Sequence, residues 1–293
     1  MLLFFRLILF ALLVYFALAP DITLAELLIA AIAYFGFEFN IRRQQHKKAV
    51  TVAADEIRAT LRLHPTLYYN RLQEAQKQEF EARVIRFIAQ KTFIPRGPGM
   101  DVTTEMQMKI AACAVQLTFG LPEIHFSHFK TFLLYPERYY STIYKQYHCG
   151  EVNMRGIIVL SWRDFETGNY NPADGLNLGL HEMAHALHLE NGIPNGEYDF
   201  LNREYLYHWA TVSETERERL QTDKSIFRRL SSAPDTHEFF AVAVELFFEL
   251  PLLLKQEHPG IYSSLANLLN QDPATGAQHA AAPPHHTQTI ATL

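Results

Sequence analysis

Within the run Asn177-Leu178-Gly179-Leu180-His181-Glu182-Met183-Ala184-His185-Ala186-Leu187-His188, the spacing of two histidines predicts a helix with a metal on it. Residues four apart on an α-helix lie one turn above each other on the same face, so His181 and His185 can aim their imidazoles at one zinc ion. Glu182 falls ~100° around the helix from His181, beside the metal rather than on it. A carboxylate there can take a proton from a zinc-bound water whose pKa the metal has lowered towards ~7. Leu178, Leu180, Met183, Ala184, Ala186, Leu187 and Leu189 surround the polar triplet, as expected of a helix buried on several sides. Buried histidines need partners or a metal, which separates this reading from a surface helix that carries the same residues by chance.

Two histidines and a water leave one ligand to find. His188 is seven residues from His181, and at ~1.5 Å rise per residue three histidines so spread cannot converge on one ion. It reads as a residue supporting the site or a capped polar group near the helix end. A third histidine at longer spacing is absent, because Asn191 and Gly192 end the helix. Downstream, Asp235 or Thr236 can cap a second helix that runs through the apolar stretch to Phe248. Glu238 and Glu245 are seven apart and share one face of it. Carboxylates on a Phe-rich helix need a compensating charge, and zinc supplies one. Glu238 is therefore the expected third ligand. Glu245 then either orients a metal-bound histidine or pairs with an arginine such as Arg228 or Arg229.

These two helices, with Phe93-Ile94-Pro95, Leu134-Tyr135-Pro136 and Ile158-Val159-Leu160-Ser161-Trp162 in order, resemble the Mlc titration factor A family of zinc-dependent peptidases. The resemblance covers residues from about 75 to 270, specific at the metal helices and looser elsewhere. It implies a zincin-like domain related in its core to anthrax lethal factor, with His181, His185 and Glu238 as zinc ligands and Glu182 as catalytic base. It also implies aminopeptidase-type cleavage and, as in the family's namesake, binding of a transcriptional repressor. One position departs: the family usually places a tyrosine seven residues before the ligand glutamate, and here stands Ser231. That leaves the oxyanion of the tetrahedral intermediate to His237, Tyr205, Tyr207 or His208, or leaves it less stabilised. Losing one such donor typically costs ~10²–10³ in rate.

The ends of the chain are a different material. Leu2 to Leu18 is nearly all apolar apart from Arg6, Pro20 and Asp21 break the run, and Ile22 to Phe39 is a second apolar stretch carrying Glu26 and Glu38. Arg42, Arg43, Lys47 and Lys48 follow, and the positive-inside rule keeps such a cluster cytoplasmic. The expectation is a membrane hairpin with the main domain facing the cytoplasm. Its rivals are an exported chain, since Arg6 and Ala17-Leu18-Ala19 fit a signal peptide, and an in-plane amphipathic helix. A net charge of −5 offers no surface for nucleic acid. Two cysteines, Cys113 and Cys149, make no disulfide framework and fit a reducing compartment, with Cys113 as a small core residue.

In between, Arg71 to Gln90 has apolar residues at helical intervals, Pro95 to Gly99 punctuate a loop, and Thr103 to Thr118 reads as the next helix. Lys130 to Leu134 and Gly156 to Ser161 are the strand candidates. Ile157 to Leu160 enters just before the metal helix, either as the edge strand that receives a substrate backbone or as a fully buried strand. Tyr139, Tyr140, Tyr144 and Tyr147 cluster as aromatic packing or a substrate-facing loop.

The expected architecture is α+β, a mostly helical zincin-like metallopeptidase domain with a small β-sheet behind N-terminal transmembrane segments. Its parts are a membrane anchor at 1–40, a basic juxtamembrane segment at 41–70, the peptidase domain at 71–271 and a disordered tail at 272–293. The expected activity is zinc-dependent hydrolysis of peptide or protein substrates. The alternative is a zinc-stabilised regulatory protein that sequesters a partner such as a transcriptional regulator.

Overall fold

Helix-forming patterns at both ends of one short apolar sheet generate the architecture. The computed structural model describes residues 32, 34, 36, 53–141, 145–220 and 226–278. It divides into two units, Met1–Glu56 and Ile57–Leu293. In the first, residues 32, 34, 36 and 53–56 are helical. The remaining elements belong to the second.

A helical stretch at 57–63 leads to α1 (Leu67–Arg71) and α2 (Glu74–Ala89). The single helix expected over 71–90 is broken, because Gln73 and Gln76 form a reciprocal capping box that starts α2 afresh. Phe80, Glu81, Val84 and Phe87 are its buried face. The buried Glu81 carboxylate is satisfied by Arg62 Nε (2.9 Å) and the Tyr69 hydroxyl (2.7 Å), which ties 57–63 and α1 to α2.

Next come β1 (Thr92–Pro95), α3 (Thr104–Thr118, capped by Thr103), β2 (Thr131–Tyr135), β3 (Tyr139–Ser141), β4 (Gln146–His148), β5 (Gly150–Asn153) and β6 (Ile157–Ser161). The main sheet has the order β1-β2-β6-β5, with β1, β2 and β6 parallel and β5 antiparallel to β6. The run Ile157-Ile158-Val159-Leu160 suits an interior strand, and β6 is buried between β2 and β5. The edge position falls to β5. The hairpin β3–β4 pairs Tyr140 with Tyr147, both exposed, whereas Tyr139 stacks on Tyr135.

The chain then becomes helical: α4 (Trp162–Tyr170), α5 (Leu178–Gly192), α6 (Arg203–Leu220), α7 (Arg228–Ser231), α8 (Thr236–Glu249), α9 (Pro251–Glu257) and α10 (Pro259–Leu269), followed by the short pair β7 (Gln271–Asp272) and β8 (Ala277–Gln278). Helix α5 lies between α8, α3 and the edge strand β5. Its approach to α3 and α4 is close enough that a methyl group at Gly179 would overlap Cys113 Sγ and the Phe165 ring. Every residue from Phe239 to Glu249 of α8 is buried. Truncating a ring such as Phe240 there would cost ~3–5 kcal/mol.

The expected transmembrane anchor over 1–40, and with it the membrane-anchored, cytoplasm-facing placement of the domain, is corrected. Among the described residues no helix is long and apolar enough to cross a membrane. A span needs ~20 apolar residues and ~30 Å. The apolar helix α8 has 14 residues, or ~21 Å at ~1.5 Å each. Helix α6 has 18 residues but carries charged residues towards both ends. In the described residues, apolar runs are spent on the protein core. Apart from residues 32, 34 and 36, the stretches Leu2 to Leu18 and Ile22 to Phe39 lie outside the described residues, as do the basic cluster that follows and 279–293 of the expected tail.

Candidate metal centre

Two N-caps set the site. Asn177 Oδ1 accepts from Leu180 N (2.9 Å) and starts α5, so His181 comes in its first turn and His185 in the next. Asp235 Oδ1 accepts from His237 N and Glu238 N (both 2.9 Å) and starts α8, which puts Glu238 in its first turn. The two helices pack so that these turns meet. His185 Nε2 lies 3.1 Å from His181 Nε2 and 3.2 Å from Glu238 Oε1, while His181 Nε2 lies 3.4 Å from Glu238 Oε2. These three are the group of possible metal ligands among the described residues.

The surroundings hold the trio in place. His181 Nδ1 donates to Glu245 Oε1 (2.9 Å), which turns Nε2 towards Glu238 and His185. The same oxygen accepts from Arg229 Nη2 (2.8 Å), so Glu245 both orients the histidine and pairs with an arginine. Glu245 Oε2 accepts from Asn177 N (2.6 Å), tying α8 to the cap of α5. Burial pulls the His181 imidazole down, but hydrogen bonds to Glu238 and Glu245 outweigh it and its pKa rises to about 10. Hydrogen bonds from His181 and His185 hold the Glu238 carboxyl far below the ordinary carboxylate range. Both shifts mark a centre that favours positive charge.

Glu182 is buried beside the trio, and burial raises its pKa to about 7 against the pull of His181 and His185. Its carboxyl lies against the backbone of β5: a methyl group at Gly150 would overlap it. The centre opens into a cleft of about 990 Å³, walled by β4 and β5 on one side and by α7 and the start of α8 on the other. Sequence reasoning missed Gly150 and Glu151 as its walls, and singled out Arg229 only as a partner for Glu245. Of the four residues considered for the oxyanion, His237 lines the cleft, whereas Tyr205, Tyr207 and His208 do not. Ser231 donates its hydroxyl to Arg228 O and is also outside the lining. His188 stands apart, its ring against that of His237 at 4.5 Å, and burial lowers its pKa.

The sequence model of the glucose-regulated metallo-peptidase M90 family matches residues 39–269. The chain belongs to this family. It is similar to the Mlc titration factor A proteins of three bacteria. With that of Edwardsiella ictaluri it is 29% identical over 227 residues, covering 69% of this chain and 83% of the relative. The figures are 27% over 229 residues for Serratia proteamaculans (71% and 84%) and 26% over 231 residues for Escherichia coli (71% and 84%).

Membership of a metallopeptidase family implies a metal, and the donor set of this M90 chain suits one. Tetrahedral zinc with bonds of ~2.0–2.1 Å sets its ligand atoms ~3.3 Å apart. The three separations, 3.1, 3.2 and 3.4 Å, lie around that value. Two imidazoles and a carboxylate are borderline-to-hard donors that zinc accepts. Three protein ligands, rather than four, is the number found where a position stays open for chemistry.

Proposed function

We propose that this M90-family chain is a zinc peptidase in which His181, His185 and Glu238 hold the ion and Glu182 is the base. The observation that carries the reading is the convergence of His181 Nε2, His185 Nε2 and Glu238 within 3.4 Å of one another, with the Glu182 carboxyl buried alongside. When bound, zinc supplies a Lewis acid that brings the pKa of a water towards ~7 and polarises a carbonyl. Glu182 takes the proton of the attacking water and then delivers it to the leaving amine. The burial that raises its carboxyl above the ordinary carboxylate range suits a group that takes up and then returns a proton. Glu245, braced by Arg229, keeps the His181 ring in one orientation through the cycle. Of the residues considered for the developing oxyanion, His237 is the one that lines the cleft.

The substrate backbone lies along the edge strand β5, whose outer side has no partner strand among the described residues. Gly150 keeps that approach clear next to Glu182. The cleft wall carries Asp164 paired with Arg138 (3.0 Å), and Glu151 and Asp174, two carboxylates that favour the positive amino end of a peptide and hence aminopeptidase-type cleavage. Converting Glu182→Gln should leave zinc bound and lower peptide hydrolysis by ~10²–10⁴. Hydrolysis at the unaltered rate would remove Glu182 from the role.

A second reading is favoured by the names of the relatives, Mlc titration factor A. On it, the chain binds a regulatory protein and zinc stabilises the bound form. Full cellular function in a Glu182→Gln strain would support this reading over the peptidase.

A further inference from the structure

A second cavity of about 370 Å³ meets the metal cleft at Asn177, the cap of α5. Its apolar wall includes Leu67, Leu72, Leu180 and Phe248, and Glu249 and Asn177 also line it. That volume and lining are those of a small-molecule site, apolar with a few convergent polar groups.

Glu249 is the unusual member. It is 8% exposed, and its carboxylate accepts from Leu176 N and Asn177 Nδ2, both at 3.0 Å. These are dipoles, and no cation pairs with it among the described residues. Its charged neighbours are Asp174 and Glu245, which add negative potential. Of the other charged groups of the lining, Lys109 is matched by Glu105 (2.8 Å) and Glu166 (2.9 Å), and Asp272 by Lys255 (3.3 Å). A buried carboxylate without a counter-charge is costly, so this part of the cavity favours a cation. The exposed Arg71 lines the same cavity and offers a carboxylate-bearing ligand a second anchor.

We propose that this cavity binds a small primary ammonium compound with an apolar body, its nitrogen on Glu249 and its chain against Leu67, Leu72 and Phe248. Either a simple alkylamine or an apolar amino acid carries that chemistry. The site is separate from the metal cleft but shares Asn177 with it: the backbone N–H of that residue serves Glu245 and its side-chain amide serves Glu249.

Calorimetric titration of the full chain with 3-methylbutylamine, leucine and 3-methylbutanol tests this. Both ammonium compounds should bind, the alcohol at least about tenfold more weakly, and Glu249→Gln should erase the difference. Leu67→Trp, at the partly exposed mouth, should weaken all three without touching the α5 cap. Leucine binding that falls in Arg71→Ala while amine binding holds would identify an amino acid as the ligand class; equal binding of both in that variant would identify a simple amine. Glu182→Gln should leave every affinity unchanged. Equal affinity for amine and alcohol, or binding lost in Glu182→Gln but kept in Glu249→Gln, would overturn the proposal. Since the readout is binding and not turnover, it stands or falls independently of the peptidase reading.

Discussion

Glu245 and Glu249 stand one turn apart on α8, both buried, and are compensated differently. Glu245 faces the cleft, where the imidazole of His181 and the guanidinium of Arg229 share one of its oxygens. Glu249 faces the second cavity, where it meets two N–H groups and no cation among the described residues, and burial raises its pKa to about 7. The same residue type on the same helix therefore serves two ends. One carboxylate is locked into positioning a histidine, and the other is left with unspent attraction for positive charge.

The comparison breaks most readily at Glu245. Glu245→Gln should weaken zinc binding by ~10–100-fold, the usual cost of removing the acceptor behind a metal-binding histidine. A competition titration against a chelator of known affinity would measure it, and an unchanged affinity would mean that His181 needs no such brace. The protonation of His181 sharpens the same point. With its pKa raised to about 10, the apo site holds a proton at pH 7 that an incoming metal must displace. Zinc uptake should therefore release about one proton, and affinity should fall ~tenfold for each unit of pH from about 10 downward. Calorimetry in buffers of different ionisation enthalpy reads the proton count, and zero would contradict the assigned partners. The smallest effect is expected at Glu249. Glu249→Gln retains an acceptor for Asn177 and should change zinc affinity by no more than about threefold. A loss as large as that of Glu245→Gln would erase the distinction between the two residues.

The parts of this arrangement differ in how far sequence reveals them. Helix α5 was legible because both of its signals are local: the four-residue histidine spacing and the apolar residues around it. Glu238 was singled out through a weaker argument, the cost of carboxylates on an apolar helix, and the structure has it within 3.4 Å of both histidines. For Glu245 the sequence left two partners open, and both occur because one carboxylate oxygen accepts from each. The edge strand β5 was not legible. Gly150-Glu151-Val152-Asn153 has a single β-branched residue, and its strand character comes from pairing with β6 rather than from its own propensity. The break at Gln73 was missed because the apolar period runs on through it while the capping chemistry does not. The first forty residues were read by hydropathy and by the basic cluster after them, and hydropathy reports burial without saying in what.

The central claim is that α5 and α8 together form one zinc site, and metal analysis of the full chain tests it most directly. Purified protein should carry about one zinc per chain, and His185→Ala and Glu238→Ala should each carry almost none while still folding. Zinc retained at full stoichiometry in Glu238→Ala would contradict the claim.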